Sequence, residues 1–144
     1  DLLYFSSVEN ADILHNSIKG GSRGFYLSGL NDTLDIRNNI IVGGAFEALY
    51  NSFFGTAPNN MTVDYNIYDK SGTNIARWGS TTYLDLAAWQ TGDTTRNDSS
   101  LQGDPGFLSA TDFHIVGTLP NDVGDNNTTV VTDIDGDARP ATGS

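Results

Sequence analysis

Two aspartates stand at corresponding positions in two segments that share one pattern. Asp12 directly precedes Ile13, and Asp35 directly precedes Ile36. If the segments stack as neighbouring strands, about 4.8 Å apart, the two carboxylates come close together. Such a pair is what acid–base glycoside hydrolysis or calcium-assisted cleavage of a uronate polymer requires. The third segment has Thr62 at this position, so the row is short, and a solvated protein surface is the alternative interpretation.

Arginine and aromatic side chains recur in the same part of the chain. A polysaccharide lyase needs a base to take a proton beside a carboxylate, and cations to neutralise that acid. Arg37 and Arg77 are the candidates for these roles. We expect them to share one face with Tyr26, Tyr65 and Trp78. Aromatic rings stack on sugar faces, so this set predicts a glycan-binding groove. The alternative is that several of the rings pack under loops.

An acidic run near the end of the chain resembles an oxygen-rich calcium loop. Asp133, Asp135 and Asp137 alternate with Ile134 and Gly136. Hard cations such as Ca²⁺ bind several carboxylate and carbonyl oxygens, so this run is the candidate metal site. It lacks the glutamate that closes an EF-hand loop. The alternative is a surface turn in which a neighbouring arginine pairs with one carboxylate.

An internal repeat provides the main evidence on the fold. In residues 13–18, 36–41 and 63–68, an aliphatic residue is followed by Asn three places later and an apolar residue two further on. The three segments begin 23 and 27 residues apart. One such unit cannot bury its apolar face alone, so the units are expected to stack. The expected columns are aliphatic (Ile13, Ile36, Val63), polar at a tight turn (Asn16, Asn39, Asn66) and apolar twelve residues after each start (Phe25, Ala48, Ile75).

The composition favours turns over helices and excludes several classes of function. The 144 residues include 16 Gly, and all but two of the 18 acidic residues are Asp, which favours turns. The net charge of −11 opposes binding to nucleic acid and to anionic membranes. The absence of Cys excludes disulfides and thiolate chemistry. No apolar run is long enough to span a bilayer.

These columns resemble the right-handed parallel β-helix repeat proteins, the broad group with pectate-lyase-like folds. The tail adds to the resemblance, since its order of motifs is similar to the end of many large bacterial surface proteins of this type. The motifs are a Trp-bearing segment (residues 83–92), Asp104-Pro105-Gly106-Phe107, Asp112-Phe113-His114-Ile115, and a final Asp-x-Asp-Gly-x-x-Arg-Pro loop (residues 133–140). Leu119 stands where a serine is usual in the family, so a turn hydroxyl is missing there.

The predicted fold is therefore all-β: a right-handed parallel β-helix of three to four repeats, with one short helix and a loop-rich C-terminal cap. Residues 1–80 are assigned to the repeats and residues 81–144 to the last repeats and cap of the same domain. The helix is expected over residues 80–90, with Leu84, Ala87 and Ala88 facing the sheets. The alternatives are a β-sandwich and a β-propeller. The apolar start, Leu2 to Phe5, favours a fragment of a longer protein.

The resemblance implies a secreted or cell-surface module that contacts polysaccharide, as the C-terminal part of a lyase or a glycoside hydrolase. The competing hypothesis is a non-enzymatic structural or adhesive stalk. Calcium binding by the acidic loop is compatible with either. The exposed N-terminal end of the stack predicts self-association, because unpaired strand edges template pairing with other chains.

Overall fold

The protein is rich in short β-strands. The computed structural model describes residues 2–29, 31–53, 60–70, 72–120, 123–128, 130–132 and 136–138. The strands are β1 (Leu3–Ser6), β2 (Glu9–Leu14), β3 (Ser17–Lys19), β4 (Phe25–Ser28), β5 (Asp32–Arg37), β6 (Ile40–Val42), β7 (Leu49–Asn51), β8 (Thr62–Asp64), β9 (Ile67–Asp69), β10 (Ala76–Trp78), β11 (Thr81–Tyr83) and β12 (Leu101–Gln102). One helix, α1, spans Leu86–Gly92. The all-β class is confirmed.

Three sheets divide the strands between them. The first sheet has the order β1-β4-β7-β10-β11, the second β2-β5-β8, and the third β12-β9-β6-β3. Each of β1 to β7 pairs in parallel with the strand three places further along the chain, and β9 pairs in the same way with β12. The first sheet is mixed, because β11 runs antiparallel to β10.

The predicted aliphatic column is confirmed, and the predicted apolar column is shifted by one residue. Ile13, Ile36 and Val63 are direct neighbours in the second sheet and are buried. In the first sheet, however, Phe25 lies opposite Leu49 rather than Ala48. The turn before β7 (residues 43–48) is one residue longer than the turn before β4 (residues 20–24), so a constant offset fails there.

The asparagine column is confirmed at the corner between the second and third sheets. The Oδ1 atom of Asn39 accepts a hydrogen bond from the backbone N–H of Asn16, at 3.0 Å, and Asn39 N–H donates in the same way to Asn66. Asn66 N–H donates to the Oγ atom of Ser100, also at 3.0 Å. Ser100 is therefore a fourth member of the column, which the sequence pattern did not predict. Asn39, Asn66 and Ser100 are buried, so these hydrogen bonds satisfy interior polar groups.

The left-handed backbone at this corner falls one residue before the asparagine column. His15, Asn38 and Tyr65 have φ angles of 54°, 58° and 53°. Asparagine tolerates this region, whereas most L-residues meet a steric penalty there. The residue that turns the corner points outward, and the following Asn side chain fills the inside of the turn.

The helix is shorter than predicted and begins later. The sequence predicts residues 80–90, but Thr81–Tyr83 forms β11, and α1 begins at Leu86. Asp85 caps the helix, because its side chain accepts a hydrogen bond from the backbone N–H of Ala88. The helix buries Leu86 and Trp89, whereas the residues predicted to face the sheets, Leu84, Ala87 and Ala88, are exposed. Among the described residues, no helix is long and apolar enough to cross a membrane.

Candidate functional site

A column of tyrosine and arginine side chains follows the outer face of the first sheet. Tyr4 lies opposite Tyr26, Tyr26 opposite Tyr50, and Tyr50 opposite Arg77. The Tyr4 and Tyr26 rings are perpendicular, with centroids 5.1 Å apart, and those of Tyr26 and Tyr50 are stacked at 4.9 Å. The Arg77 guanidinium lies 5.4 Å from the centroid of the Tyr50 ring. We call Tyr4, Tyr26, Tyr50 and Arg77 the tyrosine column.

Arg23 joins the column to an exposed phenylalanine. Its guanidinium lies 4.5 Å from the ring centroid of Tyr50, 5.5 Å from that of Tyr26 and 5.3 Å from that of Phe46. Its Nε atom also donates to the Glu47 carboxylate at 2.9 Å. These cation–π contacts and the ion pair fix the guanidinium beside the rings. The surface is therefore preformed.

Alternation along the strands explains the column. In β4, the burial pattern puts Phe25 and Leu27 inside, so Tyr26 points outward. The rings at the ends of this surface are the most accessible, with Tyr4 57% and Phe46 53% exposed, whereas Tyr50 is buried among its neighbours. Exposed ring faces beside fixed guanidinium groups can bind a sugar through its apolar face and its hydroxyl or carboxylate oxygens.

The predicted Asp12–Asp35 pair is present on the outer face of the second sheet. Asp12 lies directly opposite Asp35, and Asp35 lies opposite Thr62, as the repeat predicts. The Arg37 side chain bonds to Asp35, with an Nε–Oδ1 distance of 2.6 Å, and it also pairs with Asp125. This pairing joins the sheet to the C-terminal part of the chain, and the repeat pattern gave no sign of it.

The electrostatics of this cluster hold Arg37 in its charged form. The hydrogen bond to Asp35 and the charges of both carboxylates raise the pKa of Arg37, against the opposing effect of burial. The pKa of Asp125 is lowered, first by the backbone N–H of Asn127 and then by Arg37, although burial opposes the shift. A guanidinium held by two carboxylates is suited to orienting its partners, and it does not readily lose the proton that it would have to lose before it could act as a base.

The predicted common face for the remaining candidates is wrong. Arg37 belongs to the second sheet, while Arg77 and Tyr26 belong to the first. Trp78 packs against Trp89, with ring centroids 6.0 Å apart, and carries the Arg96 guanidinium at 4.7 Å. Tyr65 lies at the corner between the second and third sheets. Tyr26 and Arg77 do share the tyrosine column, but Arg37, Tyr65 and Trp78 occupy other positions within the repeat, so stacking cannot place all five on one face.

Tyr65 lines a cavity of about 260 Å³ between that corner and the C-terminal part of the chain. His15, Asn38 and Asp125 also contribute to its wall. We call this cavity the corner cleft. The sequence marked Tyr65 as a glycan-binding candidate but did not predict this surrounding, because the other wall comes from residues more than 50 positions away.

The predicted calcium loop falls mostly outside the described residues. Asp133 and Asp135 are not described, and Asp137 is exposed. Within the described residues, no group of three or more His, Asp or Glu side chains could hold a metal ion. Calcium binding by this loop therefore stays a prediction.

Sequence reasoning missed half of the tyrosine column and the arginine beside it. Tyr26 and Arg77 were named, but Tyr4, Tyr50 and Arg23 were not assigned to a site. The recurrence of tyrosine at positions 4, 26 and 50 was the available signal, because its spacing is close to that of the repeat.

Asp69 is an acidic side chain at the end of β9 in the third sheet. Burial raises the pKa of Asp69, repulsion from Asp104 adds to the shift, and Lys19 opposes it. Because the pKa of Asp69 is higher in the folded state than in the unfolded state, its ionised form lowers the free energy of unfolding at neutral pH. This cost decreases as the pH falls through the folded-state pKa, and it is absent below the unfolded value of about 3.9.

We therefore expect Asp69→Asn to raise the melting temperature at pH 7 and to have almost no effect at pH 3. Thermal unfolding of both proteins across this pH range is the measurement. Asp98→Asn, at an exposed aspartate, is the matched control and should leave the pH 7 value unchanged. A lower melting temperature for Asp69→Asn at pH 7 would contradict the expected sign.

Comparison with known proteins adds no assignment: no protein-family model, no curated protein and no solved structure matches the chain.

Proposed function

We propose that the protein is a secreted or cell-surface parallel β-helix module that contacts polysaccharide through the tyrosine column. Three arguments support the β-helix: the parallel pairing of each of β1 to β7 with the third strand after it, the aliphatic column, and the buried asparagines at one corner. Each is what stacking of equivalent repeats requires. A fold alone does not determine a function, so the proposal depends on the site.

The observation that carries the polysaccharide proposal is the in-register column of three tyrosines and Arg77, flanked by Arg23 and Phe46. Equivalent side chains one strand apart repeat about every 4.8 Å, so the column offers several contacts along an extended polymer. A chain of sugars presents repeated apolar faces and hydroxyl groups, which match rings and guanidinium groups. The strongly acidic composition is consistent with an extracellular location.

The structural or adhesive stalk is the second candidate, and the second sheet favours it over catalysis. The Asp12–Asp35 row stops at Thr62, and Arg37 is engaged by two carboxylates. A binding or spacer module needs no acid–base pair, whereas a lyase or a hydrolase does. Catalysis by these residues is therefore less well supported than a binding or spacer role.

The first test is incubation of the protein with a panel of neutral and acidic polysaccharides, with and without calcium. Absorbance of unsaturated uronic products would establish a lyase, and new reducing ends alone would establish a hydrolase. Retention on a polymer without products would support a binding module. If the protein neither binds nor cleaves any of the polymers, the polysaccharide proposal is contradicted and the structural stalk remains.

For a polymer that binds, we expect Tyr4→Ala to weaken affinity about tenfold. An aromatic contact contributes about 0.5–1.5 kcal/mol beyond its buried area, and about 1.4 kcal/mol corresponds to a factor of ten. Affinity electrophoresis or calorimetry gives the change. Phe113→Ala is the matched control, because it removes a partly exposed ring that stacks on Phe107 elsewhere. Equal losses in both variants would rule out the tyrosine column as the binding surface.

A further inference from the structure

We infer that the corner cleft is a separate binding site for a single neutral pyranose ring, with Tyr65 as the side chain that stacks on it. The inference does not depend on the tyrosine column, which lies on another sheet. It follows from the shape of the cavity, from the way its walls are held, and from the conformation of Tyr65.

The walls of the cleft are fixed by side chains of the corner. The Oδ1 atom of Asn38 accepts the backbone N–H of Asp125 at 2.7 Å, and its Nδ2 atom donates to the Asp125 carbonyl at 2.8 Å. His15 Nε2 lies 2.8 Å from the Thr128 hydroxyl. Arg37 also pairs with the Asp125 carboxylate. His15 and Asn38 thus hold the outer wall, and the cavity is formed before any ligand arrives.

Tyr65 occupies the third outward position of the same corner, below His15 and Asn38. Its φ angle of 53° is in the left-handed region, where an aromatic residue is strained and asparagine or glycine is not. Within the described part of the chain its hydroxyl makes no hydrogen bond, and its ring lines the cavity. The corner requires a left-handed residue, but it does not require an aromatic one. Backbone strain of this kind is concentrated at binding sites, so we expect the Tyr65 ring to contact a ligand.

The chemistry of the cleft selects the ligand class. Its volume of about 260 Å³ is just below the usual range for drug-sized ligands, about 300–1,000 Å³, so its size matches one sugar ring. Apolar side chains, including Ile67, Ile115 and Val123, complete the lining beside the tyrosine. Arg37 pairs with the Asp125 carboxylate, so this carboxylate is already engaged and is not free to bind a cationic ligand. A neutral sugar matches this combination of apolar faces and hydrogen-bonding edges.

The test is titration of the whole protein with glucose, galactose, mannose and N-acetylglucosamine, followed by ligand-detected and protein NMR. We expect at least one sugar to bind and to shift the resonances of the Tyr65 ring. Tyr65→Asn should raise the dissociation constant at least tenfold while the melting temperature stays the same or rises, because asparagine relieves the backbone strain. Tyr65→Phe keeps the ring and should change affinity less than threefold. Leu84→Ala, at an exposed side chain outside both surfaces, is the control and should leave sugar binding unchanged.

Three results would overturn the inference. These are the absence of binding by all four sugars, undiminished binding by Tyr65→Asn, and a clear loss of thermal stability in Tyr65→Asn. The last would make the ring a packing element of the fold. Because the sugars are single rings and the polymer experiment uses Tyr4→Ala, failure of the cleft and failure of the tyrosine column give different results.

Discussion

Replacing Asn39 by alanine is expected to lower the free energy of unfolding by about 3–5 kcal/mol, because buried polar groups lose their partners. The Asn39 side chain is almost completely buried. Its Oδ1 atom accepts the N–H of Asn16 at 3.0 Å, and its Nδ2 atom donates to the Ile13 carbonyl at 2.8 Å and to the Oδ1 atom of Asn66 at 3.0 Å. Alanine removes all of these bonds at once and leaves a small cavity.

Asn16→Ala is the matched control for that prediction. Asn16 is the first residue of the same column, but it is exposed, so water can replace the bonds that its side chain makes. We expect a loss of about 1 kcal/mol or less for this variant. Urea unfolding of both variants gives the comparison. Similar losses at Asn16 and Asn39 would mean that burial of the column does not set its contribution.

The aliphatic column of the second sheet and the asparagine column at its corner could be predicted, because their spacing is visible in the sequence. Ile13, Ile36 and Val63 are each followed three places later by Asn, so one pattern specified both columns. The left-handed position could not be located from this pattern alone. The segment with Asn38 and Asn39 is compatible with either residue at the turn, and only the structure places Asn38 there.

The register of the first sheet could not be predicted, because it depends on the length of irregular turns. Phe25 and Leu49 are opposite each other although the pattern pointed to Ala48. The later part of the column was hidden for a chemical reason: Ser100 provides a hydroxyl oxygen where the repeat suggested an amide. A side-chain acceptor is what the corner needs, and more than one residue type supplies it.

The corner cleft was also beyond the sequence, because its outer wall depends on contacts between distant residues. Asp125 pairs with Asn38 across 87 positions, and no periodicity connects the two. The sequence named Tyr26 and Tyr65 together as glycan-binding candidates, but it did not separate the tyrosine column from the cleft. The structure places them on two surfaces with different geometry: an extended column on the first sheet and a cleft at the corner between the second and third sheets.

Trp89 is the second residue at which we expect a large effect, because it joins α1 to two sheets. Its side chain is fully buried, and its ring centroid lies 5.9 Å from that of Tyr68 in the third sheet. Towards the first sheet it packs against Trp78 at 6.0 Å and stacks on Tyr83 at 5.8 Å. Trp89→Ala should lower the free energy of unfolding by about 3–5 kcal/mol, through lost burial and the cavity that remains.

Trp89→Phe is the informative partner of that variant. Phenylalanine keeps an aromatic ring at the centre of the cluster and also removes the indole Nε1–H, which has no acceptor among the described residues. A buried donor without a partner costs about 1–3 kcal/mol, so its removal offsets part of the lost volume. We therefore expect Trp89→Phe to remain within about 1 kcal/mol of the wild-type protein.

Hydrogen exchange can test whether Trp89 holds the end of the sheets together. The backbone N–H of Asn97 donates to the Val63 carbonyl at 2.7 Å, and this contact depends on the segment that follows α1. In Trp89→Ala this amide should exchange much faster than in the wild-type protein, while the amide of Ile40, bonded to the Asn16 carbonyl at 2.8 Å, should change less. Equally faster hydrogen exchange at both amides would instead indicate that Trp89 stabilises the whole molecule. Local opening of one end of the sheets cannot expose an amide at a distant corner.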